Sequence, residues 1–368
     1  MTSNPHPYSG EYTVKESFLE FLVPLAKDVP FAKELALNAA GRITDYSQSG
    51  SVETWKLGMT WQPINDLLFR ATESRDIRAP NIANLFAGLS TGSTNVTDPF
   101  NNGATVFTRF STLGNPDLVP ERGTTFTGGL TFQPSWLNGL ALSVDYYDIK
   151  TKDLISSYSQ QQEVNYCYEG NTTLCSDIFR DPTGSIYLIL EPVLNLNEAA
   201  TEGIDLDVSY RTNVLGGALS TRLIGNHLIT QSTTAVTPTG NIESQYANNL
   251  SYGSPGWLLT ETTSYDRGPI GFDLTGRFVS SGLYQTTDLP GTISPAENQL
   301  PSNFTVDAGI RYTLKSVPGA PTLYLTITNV LNKAPPLIPG SLITSGQTNS
   351  ALYDVMGRYF FGGVRMLF

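Results

Sequence analysis

The sequence predicts an all-β fold, an antiparallel transmembrane β-barrel. Three observations predict it. Apolar and polar residues alternate with period two in segment after segment, the alternating runs are long, and short turns alternate with long polar connections. In 140–146, Leu140, Leu142, Val144 and Tyr146 share one face while Ala141, Ser143 and Asp145 take the other. Ile204, Leu206, Val208 and Tyr210 oppose Asp205, Asp207, Ser209 and Arg211. Phe272, Leu274 and Phe278 oppose Asp273, Thr275 and Arg277, and the run 304–313 repeats the pattern. These runs reach about nine to twelve residues, against five or six in ordinary globular strands. Tilted strands of about nine to eleven residues are what a bilayer requires.

Thirteen strands are predicted, near 11–23, 32–46, 52–62, 67–74, 123–133, 139–151, 197–212, 218–230, 257–266, 271–280, 303–314, 322–330 and 357–368. Tight turns fall at 24–31, 62–66, 133–138, 213–217, 266–271 and 316–321. Long polar segments lie near 75–122, 154–196, 230–254, 281–301 and 332–356. Short periplasmic turns at one end and long extracellular loops at the other are the barrel's expected asymmetry. An odd strand number differs from the even count of a complete bacterial barrel. With no basic or apolar leader in residues 1–7, it leads to the expectation of one domain, 1–368, truncated at its N-terminus. A soluble sandwich, propeller or β-helix also alternates, but its strands are shorter and its second face is less uniformly polar.

Composition narrows the function. The 368 residues carry 22 Lys+Arg against 33 Asp+Glu, a formal charge of -11, which argues against a nucleic-acid partner that must neutralise phosphates. Charged residues are only 15%, below the roughly 25% of soluble domains. No run approaches the roughly 18 apolar residues of a membrane helix. Aromatics at 11% argue against disorder. His6 and His227 are the only histidines, so neither a metal cluster nor a catalytic triad is predicted. Asp205 and Asp207 form an acid pair suited to glycoside chemistry, yet a watery wall supplies such pairs routinely; no enzyme and no cofactor are predicted.

Cys167 and Cys175 lie in a polar stretch, too few for structural zinc and not spaced as a redox C-x-x-C. A loop disulfide is the economical reading and two free thiols the other; a disulfide implies an oxidising compartment. Inward charges Asp145, Asp205, Asp207, Arg211, Arg222, Asp273, Arg277, Asp307 and Arg311 are candidates to line a lumen. Leu140, Leu142, Leu206, Val208, Val306, Ile310, Leu323, Leu325 and Ile327 are expected to face outer-membrane lipid. Trp55, Trp61, Trp136 and Trp257 suit an interfacial girdle.

Several segments resemble the C-terminal half of TonB-dependent outer-membrane receptors. Residues 74–81 (SRDIRAPN) with 84–86 (NLF) are similar to the family's "fRaPn…eLF" stretch, and 114–121 (GNPDLVPE) to its "GNPdLkPE" motif. Residues 144–149 (VDYYDI), 202–205 (EGID) and 329–332 (NVLN) resemble "vDyYdI", "tEGiD" and "NlfN". The resemblance singles out the loop residues Arg75, Arg78, Pro80, Asn115, Pro116, Pro120 and Glu121, read here as ordering the long loop. Cys167 and Cys175 sit where many members carry a loop disulfide. Gly363, Met366 and the terminal Phe368 resemble the signal read by the barrel-assembly machinery, with Phe361 where a polar residue is usual.

The resemblance implies a plugged barrel of roughly 22 strands, in the outer membrane of a Gram-negative bacterium. It implies uptake of a small-molecule nutrient of the siderophore, cobalamin or saccharide class, energised by the TonB complex through a plug that 1–368 does not contain. A passive porin or barrel adhesin without energy coupling is the alternative.

Overall fold

The computed structural model describes residues 4–237, 240–285, 294–296, 298–337 and 348–366. Among the described residues thirteen strands follow one another in strict chain order in one antiparallel sheet, and a fourteenth, Gly240–Gln245, pairs off this path with the end of Gly217–Thr237. The thirteen are β1 (Val14–Val29), β2 (Ala32–Tyr46), β3 (Gly50–Ile64), β4 (Leu67–Arg78), β5 (Glu121–Phe132), β6 (Leu140–Ser156) and β7 (Leu194–Val214). The series continues with β8 (Gly217–Thr237), β9 (Trp257–Arg267), β10 (Ile270–Val279), β11 (Asn303–Thr313), β12 (Thr322–Thr328) and β13 (Tyr359–Arg365). Among the described residues β1 pairs only with β2, and β13 only with β12.

Register assigns every side chain to one of two faces, because successive residues of a strand point oppositely. Asp145 pairs with Asp205, Ser209 with Arg222, Ser264 with Asp273 and Thr275 with Asp307, so these lie on one polar face. Leu142 pairs with Val208, Phe272 with Ile310, Ile310 with Leu325 and Leu325 with Gly362 on the other. The apolar face has no protein cover: Leu57, Phe272, Leu274, Phe304, Ile310, Leu323 and Leu325 are all exposed. Burying such residues stabilises by roughly 1.5–3 kcal/mol each, so a face this bare is suited to an apolar medium.

The tight-turn end is built by local backbone chemistry. Val214 pairs with Gly217, leaving Leu215 (φ 51) and Gly216 (φ 76) as a two-residue turn with both residues left-handed. That turn twists with the strands it joins. The first turn is tighter than the sequence suggests. β1 runs on through Pro24 to Val29, absorbing the proline at a bulge between Pro24 and Ala26, because a bulge frees the ladder position proline cannot fill.

Strands β7 and β8 each run 21 residues, about 70 Å at strand rise. A bilayer needs only half of that, so both project beyond it. A bulge at Glu202/Gly203 interrupts their pairing. Gly203 is required there: a Cβ would stand 2.6 Å from the His227 carbonyl oxygen.

The long segments 75–122 and 154–196, expected as loops, carry structure of their own. Three helices, α1 (Ile82–Phe86), α2 (Gln160–Tyr168) and α3 (Thr172–Cys175), accompany a second sheet of five strands. Its order is Asn4–Pro5, Ser90–Asp98, Ala104–Leu113, Ile186–Pro192, Ile178–Arg180. Ala104–Leu113 and Ile186–Pro192 pair in parallel, which joins the two long segments into a single cap. Its core is Val96, Val164, Ile186 and Ile189, with Phe110 and Ile178 against it. A second buried cluster, Leu250, Val279, Tyr284, Leu300 and Tyr353, ties together three later connections.

Candidate functional site

Two regions hold the predicted site residues: the polar face of the wall and the cap. On the wall, Arg70 donates to both oxygens of Asp145, at 2.9 and 2.6 Å, and Ser143 donates to the same carboxylate. Arg222 grips Asp207 at 3.1 and 2.6 Å across β7 and β8. Asn226 donates to Asp205 at 2.8 Å. Arg311 bridges Asp273 (2.5 Å) and Asp266 (2.6 Å), and Arg277 donates to Asp307 at 2.7 Å. Arg211 is exposed and makes no ion pair among the described residues. The predicted wall charges are therefore brought together as cross-strand pairs, with Arg211 apart. Asp205 and Asp207 each have their own partner, Asn226 and Arg222.

The motif residues meet where the cap joins the wall. Glu121, almost fully buried at the start of β5, receives the Arg78 guanidinium through both carboxylate oxygens. The backbone N–H of Ile155 donates to Glu121 Oε1 at 2.8 Å, so one carboxylate ties β4, β5 and β6. Asn115 donates to the Val193 carbonyl at 2.9 Å, and its backbone N–H donates to the carbonyl of Asn84 just before α1 ends. Pro80 and Pro120 are buried and Pro116 is exposed; Arg75 sits on the apolar face of β4, opposite Trp55. Gly363 lies within β13 and Met366 just beyond it, exposed; Phe368 falls outside the described residues. Trp55, Trp61 and Trp257 stand on the apolar face, Trp257 stacked on His227 at 4.2 Å, and Trp136 lies exposed in a tight turn.

Within the cap, Cys167 at the end of α2 and Cys175 at the end of α3 form a disulfide with Cα atoms 4.8 Å apart. Ser159 caps α2 and forms a reciprocal capping box with Gln162. Gln161 pairs like a strand residue with Thr97: its Nε2 donates to the Thr97 carbonyl and its Oε1 accepts from the Thr97 N–H. The Arg180 guanidinium lies 5.1 Å over the Phe100 ring, and Tyr168 meets that ring edge-on at 5.0 Å. Tyr158 donates to the Val236 carbonyl at 2.9 Å and so ties the cap to the projecting part of β8. Asn195 reaches both the Val119 and Asp153 carbonyls.

Two acids lie inside the cap. Burial pushes the Glu163 carboxyl up to about 9, reinforced by Glu191 and Asp177. Burial pushes Glu191 to about 7, against a hydrogen bond from Gln160. Glu163 Oε2 and Glu191 Oε1 have no hydrogen-bond partner among the described residues. Among the described residues no group of three or more His, Cys, Asp or Glu is arranged to hold a metal ion. Gln161, Asn195, Asp98, Arg180 and the acid pair escaped the sequence reading, since their partners lie in other segments and no local spacing marks them.

The sequence from 2 to 330 matches the family described as TonB dependent receptor-like, beta-barrel. The chain belongs to that family. The wall has the same fold as the crystal structure of the siderophore receptor PirA from Acinetobacter baumannii, at TM-score 0.61 and 13% identity over 96% of this chain and 45% of that one. It is similar to a mutant ferric enterobactin receptor from Pseudomonas aeruginosa in complex with enterobactin, at TM-score 0.60 and 15% identity over 96% and 45%. The FrpB iron transporter from Neisseria meningitidis matches at TM-score 0.53 and 14% identity over 95% and 44%. This TonB-dependent receptor β-barrel thus spans less than half the length of those chains. Curated protein sequences give no match.

Proposed function

We propose that the chain is the C-terminal wall and extracellular cap of a TonB-dependent receptor that takes up a ferric siderophore across the outer membrane of a Gram-negative bacterium. The observation that carries this is the family match over 2–330, set on a wall with one bare apolar face and one face of paired charges. The bare face suits hydrocarbon, where every backbone N–H and C=O needs a strand partner. That requirement makes the outer edges of β1 and β13 places where further strands complete the barrel. The paired charges suit a hydrated lumen enclosing a plug, whose displacement by the TonB complex supplies the energy.

The siderophore class is drawn from the neighbours, two described as siderophore or ferric enterobactin receptors and one as an iron transporter. The cap gives capture a rigid platform, being a sheet with its own core and a disulfide rather than a set of free loops. The test is growth on ferric siderophores as sole iron source. Deleting the intact receptor abolishes growth on at least one of them, and deleting TonB does the same. Iron delivery that persists without TonB identifies a passive pore and overturns the proposal.

A further inference from the structure

One charged residue breaks the division of faces. Glu261 in β9 pairs with Leu223 of β8 and Gly276 of β10, which places it on the apolar face with Leu259, Leu274 and Val306. On that face of β9 it lies midway between Trp257 and Tyr265, about 13 Å from each along the strand. Trp and Tyr mark the two interfaces of a bilayer, so Glu261 stands near mid-depth.

Its contacts are one-sided. Glu261 Oε1 accepts from the hydroxyls of Thr221 (2.9 Å) and Thr263, which stand 2.7 Å from each other. Oε2 makes no hydrogen bond or ion pair among the described residues and points over Gly276, where an added Cβ would come within 3.9 Å of it. The Phe304 ring lies over Gly276, 3.3 Å from where a Cβ would stand, so this oxygen sits beside an aromatic-covered glycine.

A half-satisfied acid at this depth is costly in hydrocarbon, and acyl tails offer it no donor. Other charges on this face lie toward strand ends, such as Glu73, Arg75, Asp148 and Lys150 toward the long-loop end of β4 and β6 and Arg267 at the tight-turn end of β9. A second copy packed two-fold on this spot brings only another Glu261. The unpartnered carboxylate oxygen fits a basic side chain from a different polypeptide.

We propose that Glu261, Thr221 and Thr263 form a docking site on the apolar face for a membrane-embedded partner that inserts a lysine or arginine beside Glu261 Oε2. The proposal rests on that face lying in lipid. The test places a photo-crosslinking residue at Leu259 of the intact receptor in its native membrane, with a second probe at Ile310 on the same face. Lipid adducts at Ile310 report that the wall lies in hydrocarbon, and their absence overturns the membrane reading itself. The expected result at Leu259 is a polypeptide adduct whose mapped contact is next to a Lys or Arg of the partner. Its yield falls about tenfold or more in Glu261→Gln, which keeps the shape and removes the charge. Lipid adducts alone at Leu259, an adduct to a second copy, or a yield unchanged by Glu261→Gln each overturn the docking site.

Discussion

Arg180 holds Asp98 through two nitrogens, at 2.5 and 3.0 Å, and the Asp98 side chain has no exposed surface. The pair links the strand Ile178–Arg180, from one long segment, to the end of Ser90–Asp98, from the other. Asp98 also accepts from the Phe100 N–H, which starts the short turn carrying the ring beneath Arg180. Breaking a buried pair by removing one partner costs about 3–5 kcal/mol, because the remaining charge stays buried. Arg180→Met is therefore expected to loosen the cap by about 3 kcal/mol while leaving the wall folded. Hydrogen exchange checks this: protection falls across 90–113 and 178–192 and is retained in β9 to β12. Equal loss in both regions refutes the separation.

The acids beneath the cap make its stability depend on pH. Glu163 and Glu191 have folded values near 9 and 7, both raised by burial, whereas a free Glu titrates near 4.3. The folded cap binds their protons more tightly than the unfolded one, so stability is fully present in acid and falls as pH rises through about 7 and toward 9. Asp177, itself raised by burial, adds to the repulsion on Glu163. Limited proteolysis of the cap at pH 5.5 and 8.5 is expected to be faster at the higher pH. Glu163→Gln and Glu191→Gln together should flatten the difference. Faster cleavage in acid contradicts the assignment.

Glu121 accounts for one of the sequence motifs. It is 4% exposed on its side chain, and Arg78, at 57%, is its only ionic partner among the described residues. Solvent screening at Arg78 lowers what the pair contributes, but Arg78→Ala leaves a buried carboxylate with the Ile155 N–H as its remaining donor. The expected cost is about 1–3 kcal/mol, read as a lowered temperature of barrel unfolding by gel mobility. Glu121→Gln should behave similarly, since an amide cannot serve both Arg78 and Ile155 with the same acceptor strength. A wild-type unfolding temperature in both variants rejects the clamp.

The wall was legible in the sequence because its environment is two-sided. One polar and one apolar face give period-two alternation, and the thirteen predicted strands correspond to the thirteen along the main path of the sheet, whereas the fourteenth, Gly240–Gln245, was not predicted. The cap was not legible for the opposite reason. Val96, Val164, Ile186 and Ile189 converge from three separate stretches onto a core too small to impress a period on any of them. β9 also hid its exception: Leu258 and Leu259 fall on opposite faces, which blurs the alternation around Glu261. Motif residues such as Arg78 and Glu121 were visible only through resemblance, since they pair 43 residues apart.

The disulfide closes a short loop around Gly170 and the start of α3, between Cys167 and Cys175. Chain entropy gives such a loop about 2–3 kcal/mol, localised to the α2–α3 hairpin. Cys167→Ser with Cys175→Ser should raise hydrogen exchange over 160–176 and leave the parallel pairing of Ala104–Leu113 with Ile186–Pro192 protected. Mass spectrometry of untreated protein should show the bridged peptide, lost on reduction; two free thiols in oxidised protein refute the pairing.

The wall charges should behave unlike Asp98. Asp207 and Arg222 leave 40% and 54% of their side chains exposed, so water and salt screen them and each long side chain loses rotamer freedom on pairing. Asp207→Ala and Arg211→Ala are each expected to leave the urea midpoint of the wall unchanged within error. Asp307 differs, being 17% exposed and accepting both from Arg277 and from the Asn329 N–H at 2.9 Å. Asn329 adopts a left-handed conformation (φ 51) as the chain leaves β12, and its fully buried side chain binds both the N–H and the carbonyl of Lys333. Asp307→Ala removes the acceptor that fixes this turn, at about 1 kcal/mol for the lost hydrogen bond plus any loosening of the turn. An Arg211→Ala variant as unstable as Asp307→Ala refutes the distinction between screened wall charges and the turn-capping one.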